Sequence, residues 1–431
     1  MTMHLGRPLA ALLALLCSLS AFAGSYEDHG YAFLASYTGE SAALVDGGKK
    51  RGSAYAGQFF VGAEADFGRL IGWQGAKFKL YVASRHGDNL AIDEIGNSVS
   101  VQEIWGAQTE RLANLTIEQK LFDDRVIIEA GRTVANIHFL GSELCNYFQT
   151  NSACGNPTFV FRTSGFTYWP VSSWGGYVKT FLTPQIYVHA GVFEINPLQA
   201  RDNQHGLNWG IADATGVIAP VALGYRSSPA QARLPAFYEI GGWRDTSRYS
   251  DPLRDANGDA ALVSGQPYAS RSERSGVFAR FEQQVTRPDR NSPRGLILFG
   301  AALWGTAGQL TQDRFFELGF VQKGTFTGRD RDSLAFVINR QRYSGAALEN
   351  LRLARDAAGG GDTPANSQYL MELSYGIQVS KLLRVAPNLH YIINPDSFSE
   401  PSRTRDLADA LVVGLRVDLA LTPAIAAITG R

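Results

Sequence analysis

Cysteine and methionine are scarce, three of each in 431 residues. Forty basic residues balance forty acidic ones, so the net charge is zero and there is no electrostatic footprint for nucleic acid. No apolar run after residue 23 is long enough to form a membrane helix, which takes ~20 residues. A Gly-x-Ser-x-Gly nucleophile elbow is absent, and a serine hydrolase would need a Ser-His-Asp/Asn constellation. Metal binding needs His or carboxylates at ligand spacing, and His138 beside the cysteines does not supply it. No Ser/Pro linker, charge block or shift of composition divides the chain; Gly359-Gly360-Gly361 reads as a loop tip. One large domain without a cofactor or metal is expected, and no enzyme.

Residues 1–23 have the layout of a secretory signal: Arg7, an apolar stretch from Leu9 to Leu19, and Ala21-Phe22-Ala23 before the cut. The mature chain, residues 24–431, is thus expected outside the cytoplasm. Cys17 falls in the signal. Cys145 and Cys154 remain, with eight residues between them. In an oxidising compartment they read as a structural disulfide.

What the sequence has in abundance is period-2 alternation. Over 59–68, Phe59, Val61, Ala63, Ala65 and Phe67 alternate with Gly62, Glu64, Asp66 and Gly68. Over 409–420, Leu411, Val413, Leu415, Val417 and Leu419 are set against Arg416 and Asp418. Sixteen such runs are expected as strands: 30–38, 56–68, 75–85, 110–120, 125–133, 174–181, 185–194, 216–226, 235–245, 276–286, 294–305, 314–324, 333–341, 368–379, 383–394 and 409–420. Most have the ~9–11 residues a tilted strand needs to cross a bilayer. Short and long connections alternate between them. That layout, with an even strand count, is that of an all-β transmembrane antiparallel barrel of porin size. Lipid forbids an unpaired strand edge, so such a sheet has to close. Tyr37, Trp73, Trp174, Trp243, Trp304 and Tyr391 lie near run ends, where interface girdles belong. A secreted β-sandwich or propeller also alternates, but its strands average ~5–6 residues. Pro220 makes the eighth run the weakest strand.

The longest connection, 134–173, is rich in aromatic residues and holds Cys145 and Cys154. Disordered segments are poor in both, so the loop is expected to fold inward as a constriction. A barrel of sixteen strands leaves an open channel unless something narrows it.

Several ordered stretches resemble the carbohydrate-selective porins of the OprB-like family. They are IGWQGAKFKLYVASRHGD (71–88), RLANLTIEQKLFDDRVIIEAGRT (111–133), CNYFQTNSACGNP (145–157), WPVSSWGGYVK (169–179), YVHAGVFEINP (187–197), APNLHYIINP (386–395) and ALVVGLRVDLAL (410–421). The resemblance implies a sixteen-stranded pore in a bacterial outer membrane that passes sugars by diffusion. Its partners would be mono- or small oligosaccharides, outer-membrane lipid and the barrel assembly machinery; it leaves a homo-oligomer open. The chain departs from many such barrels by running past Leu421 to Thr429-Gly430-Arg431 rather than ending on an aromatic. A secreted β-rich carbohydrate-binding protein is the alternative, and an outer-membrane barrel hydrolase a more distant one.

A sugar needs polar groups for its hydroxyls and aromatic faces for its ring, held weakly enough to release. Glu64, Lys77, Lys79, Arg85, Glu118, Lys179, Arg280, Glu282, Glu372 and Arg416 have the polar parity of a lumen wall. Of these, Arg85, Glu118, Lys179, Arg280 and Glu282 are expected at the constriction, with Tyr147, Phe148 and Trp169 from the loop. Arg132 has lipid-facing parity, but it ends its run after Gly131, where the backbone can turn, and is expected at the waist too.

Overall fold

Alternation of this length does produce strands, and they close. The computed structural model describes residues 29–153 and 158–422. The expected signal, Cys154 and the terminal Thr429-Gly430-Arg431 lie outside them. In chain order the strands are β1 (Tyr31–Asp46), β2 (Gly52–Asp66), β3 (Ala76–Gly87), β4 (Glu110–Leu121), β5 (Val126–Thr133), β6 (Ser173–Phe181), β7 (Ile186–Ile195), β8 (Gly216–Arg226) and β9 (Ala236–Asp245). They continue as β10 (Tyr249–Asp255), β11 (Tyr268–Arg271), β12 (Arg274–Gln284), β13 (Gly295–Ala307), β14 (Gln312–Lys323), β15 (Ser333–Tyr343), β16 (Ser367–Gln378), β17 (Leu383–Ile393) and β18 (Ala410–Ala420). All but β10 and β11 pair antiparallel with their neighbours in one closed barrel of sixteen strands, sealed where β1 meets β18.

Two differences from expectation have local causes. β1 runs to Asp46, so the connection to β2 is a short turn and not the long segment 39–55. The outward positions there are Gly39, Ser41 and Ala43, too small and polar to sustain an apolar alternation. Backbone pairing to β2 and β18 carries the strand through regardless. The second difference is the small hairpin β10–β11, inside the long connection between the runs 235–245 and 276–286, where no strand was expected. Pro220 does stay in β8. The β7–β8 ladder passes from Ala190↔Val221 to Phe193↔Ile218 with no pair opposite Pro220, as a residue without an N–H requires.

The outer face is apolar where lipid would lie: Ile128, Val178, Val188, Leu223, Ile240, Leu318, Leu373, Leu389, Val413 and Leu415 are all exposed. The packed core is inside, and loops supply much of it. Phe139, Leu140, Phe159, Val160 and Phe166 of the long loop pack on Phe193, Ile218, Trp243, Phe278, Leu303 and Phe315 of the wall. Lower down the chain, Leu144, Phe148 and Ala153 pack on Phe299, Val321, Ala335 and Val337. A second loop, 88–109, also enters the lumen. Its Leu90, Ile95, Val99 and Val101 pack on Ala42, Leu44, Leu370, Ile392, Ala410 and Val412.

Candidate functional site

The lumen is narrowed by two loops held to the wall by charged side chains of the strands. Glu372 on β16 is fully buried and accepts the backbone N–H of Gln149 at 2.8 Å and of Thr150 at 2.8 Å. Asn388 on β17 donates to the Gln149 side chain at 2.9 Å, and Asn339 on β15 to the Ser152 hydroxyl at 2.8 Å. Arg416 on β18 sits at the hub. It donates to the Phe148 carbonyl at 3.0 Å and pairs with Glu40 on β1 at 2.9 Å and with Glu103 of loop 88–109 at 3.5 Å. The loops also bind each other, through Glu103 N–H to the Gln149 carbonyl (2.8 Å) and Arg162 to the Ser98 carbonyl (2.6 Å).

Between the loops and the wall is a chamber of about 650 Å³, within the range of small-molecule sites, roughly 300–1,000 Å³. It is lined by Arg85, Glu103, Arg162 and Arg226, by the aromatic rings of Trp105, Phe161, Tyr168 and Trp169, and by the amides of Asn136, Asn146 and Asn151. Gln58 fixes two of these: its carbonyl oxygen accepts from Arg85 at 2.7 Å and from the Trp169 indole at 3.0 Å. Burial pushes the Tyr168 phenol above its ordinary pKa, against the pull of Arg85 and Arg111. It therefore remains a neutral donor. Burial also brings His138 down to about 4, outweighing nearby Glu129. Its ring is neutral at physiological pH and adds no charge beneath the loop. Cations, carboxylates, amides and ring faces thus meet in one space, the set that hydroxylated rings require.

Of the residues expected at the constriction, Arg85 and Trp169 line the chamber. Others support it from behind. Arg280 holds the Gly141 carbonyl at 2.7 Å while paired with Glu239, and Glu282 accepts from the Ser142 hydroxyl at 2.6 Å. Lys179 lies 3.8 Å above the Tyr187 ring, and Glu118 pairs with Lys79 at 2.6 Å; neither side chain lines the chamber. Tyr147 and Phe148 also point away from it. Phe148 is 1% exposed against Phe299, and Tyr147 lies beneath Lys323 and Arg384. Their apolar faces are consumed in seating the loop. Cys145 falls in the short turn Glu143–Tyr147 and touches the chamber.

Arg132 corrects the expectation outright. It keeps the outward parity of Ile128 and Ala130, and loop 196–215 folds over it on the outside of the wall. Its guanidinium donates to the carbonyls of Asn208 (2.9 Å) and Ser172 (2.8 Å) and lies between the rings of Trp174 and Trp209. Replacing Arg132 by Ala is therefore expected to leave channel current and sugar block unchanged. Loop 196–215 should instead become more sensitive to limited trypsin digestion, since charged hydrogen bonds contribute ~1.5–3 kcal/mol each. A weakened sugar block in this variant would place the residue at the waist after all.

Glu103, Trp105, Arg162 and Arg226 were not singled out from the sequence. The first two had a signal: Val99, Val101, Ile104 and Trp105 make loop 88–109 too apolar for a solvated tip.

The carbohydrate-selective porin, OprB family, matches residues 50–421. The chain belongs to this family. Porin B of Pseudomonas aeruginosa is 31% identical over 405 residues, covering 90% of this chain and 87% of that protein. A putative porin, QuiX, of Acinetobacter baylyi is 27% identical over 413 residues, covering 91% and 90%. The high-pH structure of Pseudomonas putida OprB superposes with a TM-score of 0.83 at 31% identity, covering 92% of this chain and 95% of that one. This porin is accordingly a channel of the bacterial outer membrane for sugars, and not an enzyme.

Proposed function

We propose that the chamber between loops 88–109 and 134–172 is where this porin selects its sugar. The observation that carries the reading is the convergence of Arg85, Glu103, Arg162 and Trp169 on one chamber. Both signs of charge are present, so hydroxyl donors and acceptors are served without a single-sign field that would select ions. Trp169 offers its ring to the sugar while Gln58 holds its N–H. Losing an aromatic contact removes ~0.5–1.5 kcal/mol, so Trp169→Ala should weaken monosaccharide block of single-channel current by roughly tenfold or less. Unchanged block in a correctly inserted Trp169→Ala channel would sink the proposal.

A Cys145–Cys154 disulfide belongs to the same reading, closing the loop stretch that lies against the chamber. Both thiols are expected to resist alkylation until reduced. Every loop around the chamber comes from one chain, so a single barrel conducts whether or not it joins a homo-oligomer. The barrel fold supports insertion by the barrel assembly machinery as part of this reading; in a strain depleted of that machinery the chain should fail to reach the membrane.

A further inference from the structure

The outer wall carries a cluster of cations that transport does not use. Along β15 the buried residues Ser333, Ala335, Val337, Asn339, Gln341 and Tyr343 alternate with outward Leu334, Phe336, Ile338, Arg340 and Arg342. Strand pairing arranges the outward side chains in rows. Ile338 stands between Leu318 and Met371, Arg340 between Phe316 and Tyr369, and Arg342 between Arg314 and Ser367. Trp304 lies on the far side of Arg314.

The height of these rows follows from strand geometry. Leu334 to Arg342 is ~27 Å along a strand rising ~3.4 Å per residue, or ~20 Å along the membrane normal at a ~40° tilt. The arginines therefore stand at the upper rim of an apolar band ~25 Å tall, on the side of the long loops, which face the cell exterior. Three guanidiniums meet one carboxylate there. Arg342 is 3.7 Å from Asp313, Arg340 bonds the Ser367 hydroxyl and lies over Tyr369, and Arg314 makes no side-chain hydrogen bond or ion pair among the described residues. Arg314 and Arg342 are direct cross-strand partners, an arrangement that repels unless an anion is shared. Another outward guanidinium on an upper strand end, Arg244 on β9, has its own carboxylate in Glu273 at 3.1 Å, and Arg132 on β5 is covered by loop 196–215 and bonded to the carbonyls of Asn208 and Ser172. On β17 and β18 the outward residues toward the rim are Tyr391 and Val413.

We propose that Arg314, Arg340 and Arg342 dock the phosphorylated headgroup of an outer-leaflet glycolipid. Guanidinium forks match phosphate oxygens in pairs, and the rim is where such headgroups lie. The apolar rows below, Phe316, Leu318, Phe336, Ile338 and Leu373, meet the acyl chains, while Trp304 and Tyr369 bracket the headgroup as interface aromatics.

The test uses the full barrel in neutral detergent, analysed by native mass spectrometry with a bisphosphorylated glycolipid and with its enzymatically dephosphorylated form. The expected result is at least tenfold preference for the phosphorylated lipid. Retention should fall at least tenfold in R314Q/R340Q/R342Q, stay unchanged in R244Q, and leave sugar conductance at the wild-type level in all variants. Arg314 has no side-chain hydrogen bond or ion pair to lose among the described residues, so R314Q alone, with a severalfold loss, serves if the triple variant does not fold. Equal wild-type binding of both lipid forms overturns the proposal. So does a folded variant that keeps its lipid, including one in which the substitutions alter only the mass of a barrel oligomer.

Discussion

Replacing Arg416 by Met is expected to open the channel. Arg416 is the cation shared by Glu40 of β1, Glu103 of loop 88–109 and Asp418 of its own strand, and it also donates to the Phe148 carbonyl of the long loop. Removing one partner of a buried ionic network costs about 3–5 kcal/mol, because fully buried Glu40 is left with neither water nor a counter-charge, whereas Asp418 keeps Arg384 at 3.3 Å. The sixteen-stranded ladder does not depend on this side chain, so the barrel should still form and still shift on unheated gels. Both loops lose a common tether, and single-channel conductance is expected to rise severalfold with loss of sugar block. Adding Glu40→Gln removes the most deeply buried stranded charge and should restore part of the wild-type behaviour. A channel of unaltered conductance in Arg416→Met would show that the loops stay seated without this hub.

Glu372→Ala should be nearly as severe, through the long loop alone. Its carboxylate takes the backbone N–H groups of Gln149 and Thr150 in a fully buried setting. A buried donor left without an acceptor costs about 1–3 kcal/mol, more where the lost acceptor is charged. The expected signature is a noisy, flickering current and sugar block weakened at least tenfold. Glu372→Gln keeps one acceptor oxygen and should fall between the two. Quiet current with full block in Glu372→Ala would mean that the Asn388 and Asn339 contacts suffice to hold the loop.

The two variants separate tethering from recognition, which Trp169→Ala addresses. Tethering residues are expected to change conductance and block together. A chamber residue changes block more than conductance, because the loop stays where it is.

Strand positions were legible in the sequence because side-chain direction in a strand has a local period of two. Val413, Leu415 and Val417 against Arg416 declare a wall with one apolar and one polar side, whatever surrounds it. Strand β8 was legible despite Pro220, and β1 was only half legible, where Gly39, Ser41 and Ala43 blur the outward face. The length and aromatic content of 134–173 marked it as an ordered loop. Parity also placed Glu372, Arg280 and Glu282 inside the barrel, but not their task of gripping the loop. Their partners, Gln149, Gly141 and Ser142, lie 139 to 223 residues away in the chain. Arg132 was misplaced for the same reason: only packing of loop 196–215 against Trp174 gives its outward side chain a buried home. By itself, then, the sequence determined a closed barrel with a filled lumen, since periodicity and strand length are local properties. Which side chains face the chamber was decided by tertiary structure alone, because loops enter along paths set by contacts that no local period encodes.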